Sequence, residues 1–139
     1  METFQTQKPT ETDLYVEVKF NFDYVARTWV IKEKEVTWDK TTILDSDPGE
    51  GLIPFSHLDK TVVYKDANRV VVKTYLDLQK INDVDEFLKK FSIQYNLLED
   101  DDLATPFANS SIYYSDNDNE TVFGENKTNV MFTKVIKIV

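Results

Sequence analysis

The stretch from Asp83 to Tyr95, Asp-Val-Asp-Glu-Phe-Leu-Lys-Lys-Phe-Ser-Ile-Gln-Tyr, has apolar residues at helical spacing. They recur at i, i+3, i+4, i+7 and i+11, which gathers them into one stripe: Val84, Phe87, Leu88, Phe91 and Tyr95. A helix this short is marginal in water by itself, so its stripe must be buried against another element. The sequence therefore predicts one principal helix over 83–95 that covers a sheet.

The position of the C-terminal end of this helix determines which of the following residues are exposed. Asn96 is suited to follow a helix C-terminus, and Leu97 and the carboxylates after it would then form a separate loop. If the helix continues instead, Ile93 and Leu97 form an exposed apolar pair opposite the stripe, where a partner could bind. The sequence leaves both alternatives open.

Most of the remaining chain predicts strands. Apolar and polar residues alternate over 14–24, which is typical of a strand with one face in water. The segment 28–38 has charges on both faces and predicts an edge strand or a protruding hairpin. The last strand, 129–139, is apolar on both sides, which favours a central position. Further strands are expected near 61–75, 110–115 and Val122, whereas 39–60 is expected to be irregular.

These elements indicate an α+β fold, mainly an antiparallel sheet of about five to seven strands, covered by the helix. A chain of 139 residues with nine Phe, seven Tyr and two Trp can bury one core. Residues 1–12 are polar except for Phe4 and the initiator, which predicts an N-terminal arm held loosely or clamped by a partner. Residues 13–139 are expected to form a single domain.

Charge and composition exclude several classes of function. The formal net charge is −9, so nucleic acids and anionic membranes would repel the chain, whereas a basic protein surface would attract it. There is no cysteine, hence no disulfide and no thiolate metal site. The sequence contains no secretory signal and no long apolar run, so we expect a soluble protein inside a cell or a virion.

The acidity is concentrated between residues 99 and 120. This segment contains seven carboxylates and no basic residue: Glu99, Asp100, Asp101, Asp102, Asp116, Asp118 and Glu120. They are solvated turns, a site for a basic partner, or an irregular oxygen-ligand calcium site. An EF-hand is excluded, because a loop that starts at Asp116 has Thr121 at its sixth position and Lys127 at its twelfth.

No catalytic or cofactor motif occurs. The single histidine, His57, follows Ser56 directly, and adjacent side chains point apart, so a surface histidine is expected. Three glycines are too few for a phosphate-binding loop, and no cofactor is expected. Paired carboxylates could still meet in space. Arg69, Lys73 and Tyr75 form a basic and aromatic strip that could meet single-stranded nucleic acid or an acidic surface.

The sequence thus favours a non-enzymatic protein–protein interaction module, for example a subunit of a larger viral or mobile-element assembly. Its expected partner is a protein with a basic surface or further copies of itself. One alternative is an acidic inhibitor that mimics nucleic acid and occupies a basic groove. The other is an enzyme that uses paired carboxylates.

Overall fold

The computed structural model describes residues 2–5, 13–33, 40–46, 49–58, 69–100, 109–116 and 119–139. Residues 61–68 of the strand region predicted near 61–75 lie outside these residues, as do residues 1 and 6–12 of the predicted arm.

Within these described ranges, ten strands form two sheets. The six-stranded sheet has the order β1-β10-β6-β3-β4, with β9 also paired to β10, and consists of β1 (Glu2–Phe4), β3 (Ala26–Glu33), β4 (Lys40–Asp45), β6 (Arg69–Asp77), β9 (Asn119–Phe123) and β10 (Asn129–Ile138). The four-stranded sheet has the order β5-β2-β7-β8 and consists of β2 (Asp13–Lys19), β5 (Ile53–Leu58), β7 (Gln94–Asp100) and β8 (Asn109–Tyr114). All pairs are antiparallel except β1 with β10.

The predicted α+β class, mainly antiparallel with a single α-helix among the described residues, is confirmed. The strands exceed the expected five to seven and form two sheets instead of one. The central position of β10 is also confirmed, since it pairs with β6 on one side and with β1 and β9 on the other. In contrast, β3 is not an edge strand, because β4 and β6 flank it. The expected irregular stretch 39–60 contains β4 and β5.

The two sheets share one core. Alternate residues of each strand point inward, as in β10, where Val130, Phe132, Ile136 and Ile138 are buried. The inner faces of β2 and β7 supply the opposite wall of the same cluster. Each aliphatic side chain buried in this way contributes about 1.5–3 kcal/mol before the entropy of ordering is subtracted.

Polar side chains on the inner face of the six-stranded sheet have partners. The hydroxyl groups of Thr28 and Thr74, cross-strand neighbours in β3 and β6, lie 2.9 Å apart and are both buried. Lys134 is fully buried in β10, and its ammonium group donates to the Tyr114 carbonyl oxygen at 3.0 Å. The same ammonium lies 3.8 Å from the Glu2 carboxylate. These pairings offset the cost of burying polar groups.

The helix α1 extends over Val84–Lys90, so the predicted helix over 83–95 ends too late. Asp83 caps its first turn, because its carboxylate accepts a hydrogen bond from the Glu86 N–H at 3.1 Å. The helix covers the end of the sandwich, where the Phe91 ring lies 5.8 Å from Phe20 and 5.5 Å from Phe132 between ring centroids. The helical stripe therefore closes an open end and does not cover a sheet face.

The chain after the helix is a strand. Phe91 is already extended, with φ −85° and ψ 135°. From there Ile93, Tyr95 and Leu97 alternate inward and are fully buried. The physical reason is that their spacing of two residues also fits a strand, and the inner face of β7 buries all three, whereas a helix would leave Ile93 and Leu97 exposed.

The N-terminal residues are part of the fold. Glu2–Phe4 forms β1, which pairs with β10, and the Phe4 side chain is fully buried in the core. The Tyr113 hydroxyl donates to the Thr3 carbonyl oxygen at 2.9 Å, which ties β1 to the other sheet. These residues are thus held by their own chain and not as a loose arm.

Candidate functional site

The described acidic residues of the segment 99–120 do not gather into one cluster. Glu99 is fully buried near the end of β7, opposite Asn109 at the start of β8. Asp116 is exposed just beyond the other end of β8, roughly 20 Å away along the strand. Glu120 is exposed on β9 of the six-stranded sheet. Asp100 ends β7, and Asp101, Asp102 and Asp118 lie outside the described residues.

Ile93 and Leu97 do not form the exposed apolar pair that a longer helix would present. Both belong to the core cluster and are fully buried. That expectation is therefore wrong in its structural premise, since neither side chain is at the surface of the chain.

Exposed apolar side chains gather instead on the outer face of the four-stranded sheet. Because Leu14, Val16 and Val18 of β2 point into the core, the residues between them point outward, and the register extends this face across the sheet. We define the outer face as Tyr15, Glu17, Lys19, Phe55, His57, Gln94, Asn96, Leu98, Ser110, Ile112 and Tyr114.

One side of the outer face is aromatic. The rings of Tyr15 and Phe55 stack at 4.7 Å between centroids with an interplanar angle of 8°, and the exposed His57 ring lies 5.2 Å from Tyr15. Phe55 nevertheless remains 46% exposed. On the opposite side β8 contributes Ile112, which is 55% exposed, and Tyr114, which is 45% exposed. These are large apolar surfaces for a face that packs on nothing else among the described residues.

A chain of polar side chains crosses the face between these apolar sides. The Gln94 amide nitrogen donates to the Asn96 side-chain oxygen at 3.0 Å. The Asn96 amide nitrogen donates in turn to the Glu17 carboxylate at 2.7 Å. Lys19 lies 3.9 Å from the same carboxylate. Because each side chain is held by the next, the polar groups are oriented before any partner arrives.

The outer face is concave. A cavity of about 250 Å³ lies over its middle, with Phe55 and Ile112 as opposite walls and Glu17, Asn96 and Leu98 between them. The apolar walls offer contact area on both sides of polar groups whose hydrogen bonds are already made.

Two further cavities, of about 440 and 340 Å³, meet at Tyr24 at one end of the sandwich. Asp23 lines both, together with Glu50 in the larger cavity and Asp77 in the smaller. Carboxylates therefore do meet in a concave place, as an enzyme with paired carboxylates would require. However, Asp23 and Glu50 are both exposed, whereas a general acid of this kind is shielded from water.

The basic and aromatic strip on β6 is interrupted. The Arg69 side chain is only 11% exposed and lies 3.5 Å from the Glu33 carboxylate, so it is engaged within the sheet. Lys73 and Tyr75, further along the same face of β6, are half-buried.

No group of three or more His, Cys, Asp or Glu side chains that could hold a metal ion occurs within the described ranges. Among the described residues, no helix is both long and apolar enough to cross a membrane.

Sequence reasoning missed the outer face for a simple reason. Phe55 lies in a segment that the sequence predicts to be irregular. For 94–100, which form a strand, the sequence predicts a helix or a loop. The signal that could have found it is the alternation near the end of β8, where Ile112 and Tyr114 lie on the face opposite to that of the buried Tyr113.

Comparisons with protein-family models, with curated proteins and with solved structures find no match to this chain.

Proposed function

We propose that this protein is a non-enzymatic protein–protein interaction module, a subunit of a larger assembly, and that it docks its partner on the outer face of the four-stranded sheet. One observation carries the proposal. Phe55, Ile112 and Tyr114 expose large apolar surfaces on one concave face whose polar groups are already hydrogen-bonded to one another. Water contact of this kind is unfavourable in the isolated chain and is removed by docking.

Electrostatics indicates the chemistry of the partner. The outer face holds one carboxylate, Glu17, beside one ammonium group, Lys19, and is locally balanced. The chain as a whole carries a net charge of −9. The long-range field therefore attracts a basic partner, while the contact itself is apolar and aromatic. Association should then slow with rising salt, whereas dissociation should change little.

Affinity capture from the native host tests the proposal. Phe55→Ser removes the exposed aromatic anchor, and Val122→Ser is the matched control, because Val122 is 53% exposed on the other sheet. We expect a specific protein, recovered with the wild type and the control, to be reduced at least tenfold with Phe55→Ser. Equal recovery of every captured protein with both variants would contradict the proposal.

Among the described residues, no comparable observation favours the alternative of a nucleic-acid mimic. Such a mimic needs a continuous row of carboxylates, whereas Glu99 is buried on β7 beside the first residue of β8 and Asp116 is exposed beyond the last residue of β8.

A further inference from the structure

The edges of the two sheets differ in how they are protected against pairing with another strand. Edge strands expose unpaired N–H and C=O groups, and proteins protect them by shortness, proline, charge or bulges. In the six-stranded sheet, β1 is three residues long, β9 carries the charged Glu120, and the register of β4 with β3 shifts between Val30 and Ile31. In the four-stranded sheet, β5 contains Pro54, and its register with β2 shifts between Val16 and Val18.

The edge strand β8 has none of these protections. It is six residues long, Asn109–Tyr114, and its register with β7 is regular throughout. Its sequence, Asn-Ser-Ser-Ile-Tyr-Tyr, has no proline, no glycine and no charge. Among the described residues no strand pairs with its outer side.

The hydrogen-bond pattern identifies which backbone groups point outward. The Ser115 N–H donates to the Ile93 carbonyl oxygen at 3.0 Å, and the register continues this pairing to Tyr113 opposite Tyr95. In an antiparallel pair, alternate residues face the neighbouring strand, so the N–H and C=O groups of Ser110, Ile112 and Tyr114 face away from β7.

The partner of the Tyr114 carbonyl group is consistent with a direction away from β7. This carbonyl group accepts a hydrogen bond from the buried ammonium group of Lys134, which belongs to the other sheet, so its partner is not a β7 backbone group. This contact occupies one end of the edge. Ser110 and Ile112 are the outward residues that remain for another strand.

We propose that β8 pairs antiparallel with β8 of a second copy of this chain and joins two four-stranded sheets into one of eight strands. Ser110 of each copy then lies opposite Ile112 of the other, and the outward N–H and C=O groups of both residues form the new ladder. This contact uses the backbone edge and does not depend on the docking function of the outer face.

The distribution of charge fits a second copy of this chain as the partner strand of β8. Two chains with a net charge of −9 repel each other over most of their surfaces. The segment 109–115 is uncharged, so the chains can approach there without placing like charges opposite each other. The pairing is isologous, because the same segment serves both copies, and it closes as a dimer.

Light scattering after size-exclusion chromatography, across micromolar to millimolar concentrations, tests the proposal. We expect the wild type to reach twice the chain mass of 16.2 kDa. Ile112→Pro removes an outward N–H without removing a bond to β7, and Ile112→Lys adds a charge at the edge while leaving the backbone intact. Both variants should remain monomeric, and circular dichroism should verify that they are folded. Val122→Lys, at a similarly exposed aliphatic residue on the other sheet, should still dimerise.

A wild type that stays monomeric over the whole range would overturn the inference, as would a dimer that survives in folded Ile112→Lys. Amide hydrogen exchange distinguishes strand pairing from another dimer contact. The Ser110 and Ile112 amides should be protected in the wild-type dimer and exchange freely in monomeric Ile112→Lys, and rapid exchange of both amides in the dimer would also overturn it. Since Phe55→Ser leaves β8 intact, it should dimerise normally, so failure of the docking proposal and failure of this one are distinguishable.

Discussion

The outer faces of the two sheets differ in the exposure of their apolar side chains. On the six-stranded sheet, Val71 is buried between its cross-strand neighbours Val135 and Ile31. Two charged pairs lie on that face, Arg27 with Asp45 at 2.6 Å and Arg69 with Glu33 at 3.5 Å. On the four-stranded sheet, large apolar side chains remain open to water around a polar centre.

The difference shows that the same alternation of inward and outward residues produces two kinds of surface. On the outer face of the six-stranded sheet, cross-strand neighbours bury Val71, and exposed apolar area remains at Val122 on the edge strand β9. The outer face of the four-stranded sheet keeps apolar area at Phe55, Ile112 and Tyr114 in contact with water, which is unfavourable. This contrast is the physical basis for proposing the smaller sheet as the docking surface.

The largest expected effect comes from placing a charge on each face. Val71→Asp buries an unpaired carboxylate and should lower the free energy of unfolding by about 4 kcal/mol. Ile112→Asp puts the same carboxylate in water and should lower it by less than about 1 kcal/mol. Urea denaturation at low protein concentration measures both. Similar losses for the two variants would show that the faces do not differ.

The two sheets also differ in their buried hydroxyl groups. In the six-stranded sheet, the buried hydroxyl groups of Thr28 and Thr74 are paired with each other. Thr74→Val removes the partner that lies 2.9 Å from the Thr28 hydroxyl. A buried hydroxyl that loses its partner should cost about 1.5 kcal/mol of unfolding free energy. The double variant Thr28→Val with Thr74→Val should recover most of this loss, because both polar groups are then removed. Additive losses in the double variant would argue against the pairing.

The four-stranded sheet contains the opposite case. The Tyr95 hydroxyl is buried and has no hydrogen-bond partner among the described residues. Tyr95→Phe deletes this group with little change in shape and should raise the free energy of unfolding by about 1 kcal/mol. Denaturation by urea again gives the value. A clear destabilisation would mean that the hydroxyl contributes a favourable interaction.

The dependence of stability on alkaline pH is a second test of the buried Tyr95 hydroxyl group. Burial raises the pKa of Tyr95 above its ordinary value. The unfolded chain ionises near pH 10 while the folded chain keeps the proton, so stability is lost as the pH rises above about 10. The wild type should therefore weaken relative to Tyr95→Phe between about pH 8 and about pH 10.5. Tyr114→Phe serves as the control for removing an exposed phenol, and a constant difference between wild type and Tyr95→Phe would contradict this prediction.

The smallest effect is expected at the exposed ion pair of the six-stranded sheet. The Asp45 carboxylate accepts two hydrogen bonds from the Arg27 guanidinium group, at 3.0 and 2.6 Å, which hold the pKa of Asp45 below its usual value. The contribution to stability is present above the unfolded pKa of about 3.9 and is lost as the pH falls through the lower folded pKa. Asp45→Asn should lower Tm slightly at neutral pH, with Asp116→Asn as the control. A larger Tm difference in acid than at neutral pH would have the wrong sign.

Much of the fold could be predicted from periodicity. The alternation at Leu14, Val16 and Val18 and the two-sided apolarity of 129–139 identified a half-exposed strand and a central one. Both predictions succeed because burial on one or both faces leaves a direct mark on the residue pattern.

The helix boundary could not be predicted because two periodicities overlap. Val84, Phe87 and Phe91 follow the helical spacing, and Tyr95 continues it by coincidence. Tyr95 belongs instead to the alternation with Ile93 that forms the inner face of β7. Local spacing fits both structures here, and packing against the second sheet decides between them.

The candidate site was hidden for the same reason. The sequence predicts a helix or a loop over 94–100, whereas these residues form β7, the strand that lies between β2 and β8 and connects the Phe55 side of the sheet to the Ile112 side. The same prediction places Glu99 in a surface cluster, although its strand position points it into the core. Side chains from four separate segments meet only after the strands pair, which no local pattern records.

Site-specific photo-crosslinking in the native host compares the two outer faces as docking surfaces. A photoreactive phenylalanine at position 55 reports on the outer face of the four-stranded sheet, and the same group at Tyr75 reports on the outer face of the six-stranded sheet. We predict a discrete crosslink to a protein partner from position 55 and none from position 75. Crosslinks from position 75 alone, or equal crosslinks from both positions, would contradict the assignment of docking to the four-stranded sheet.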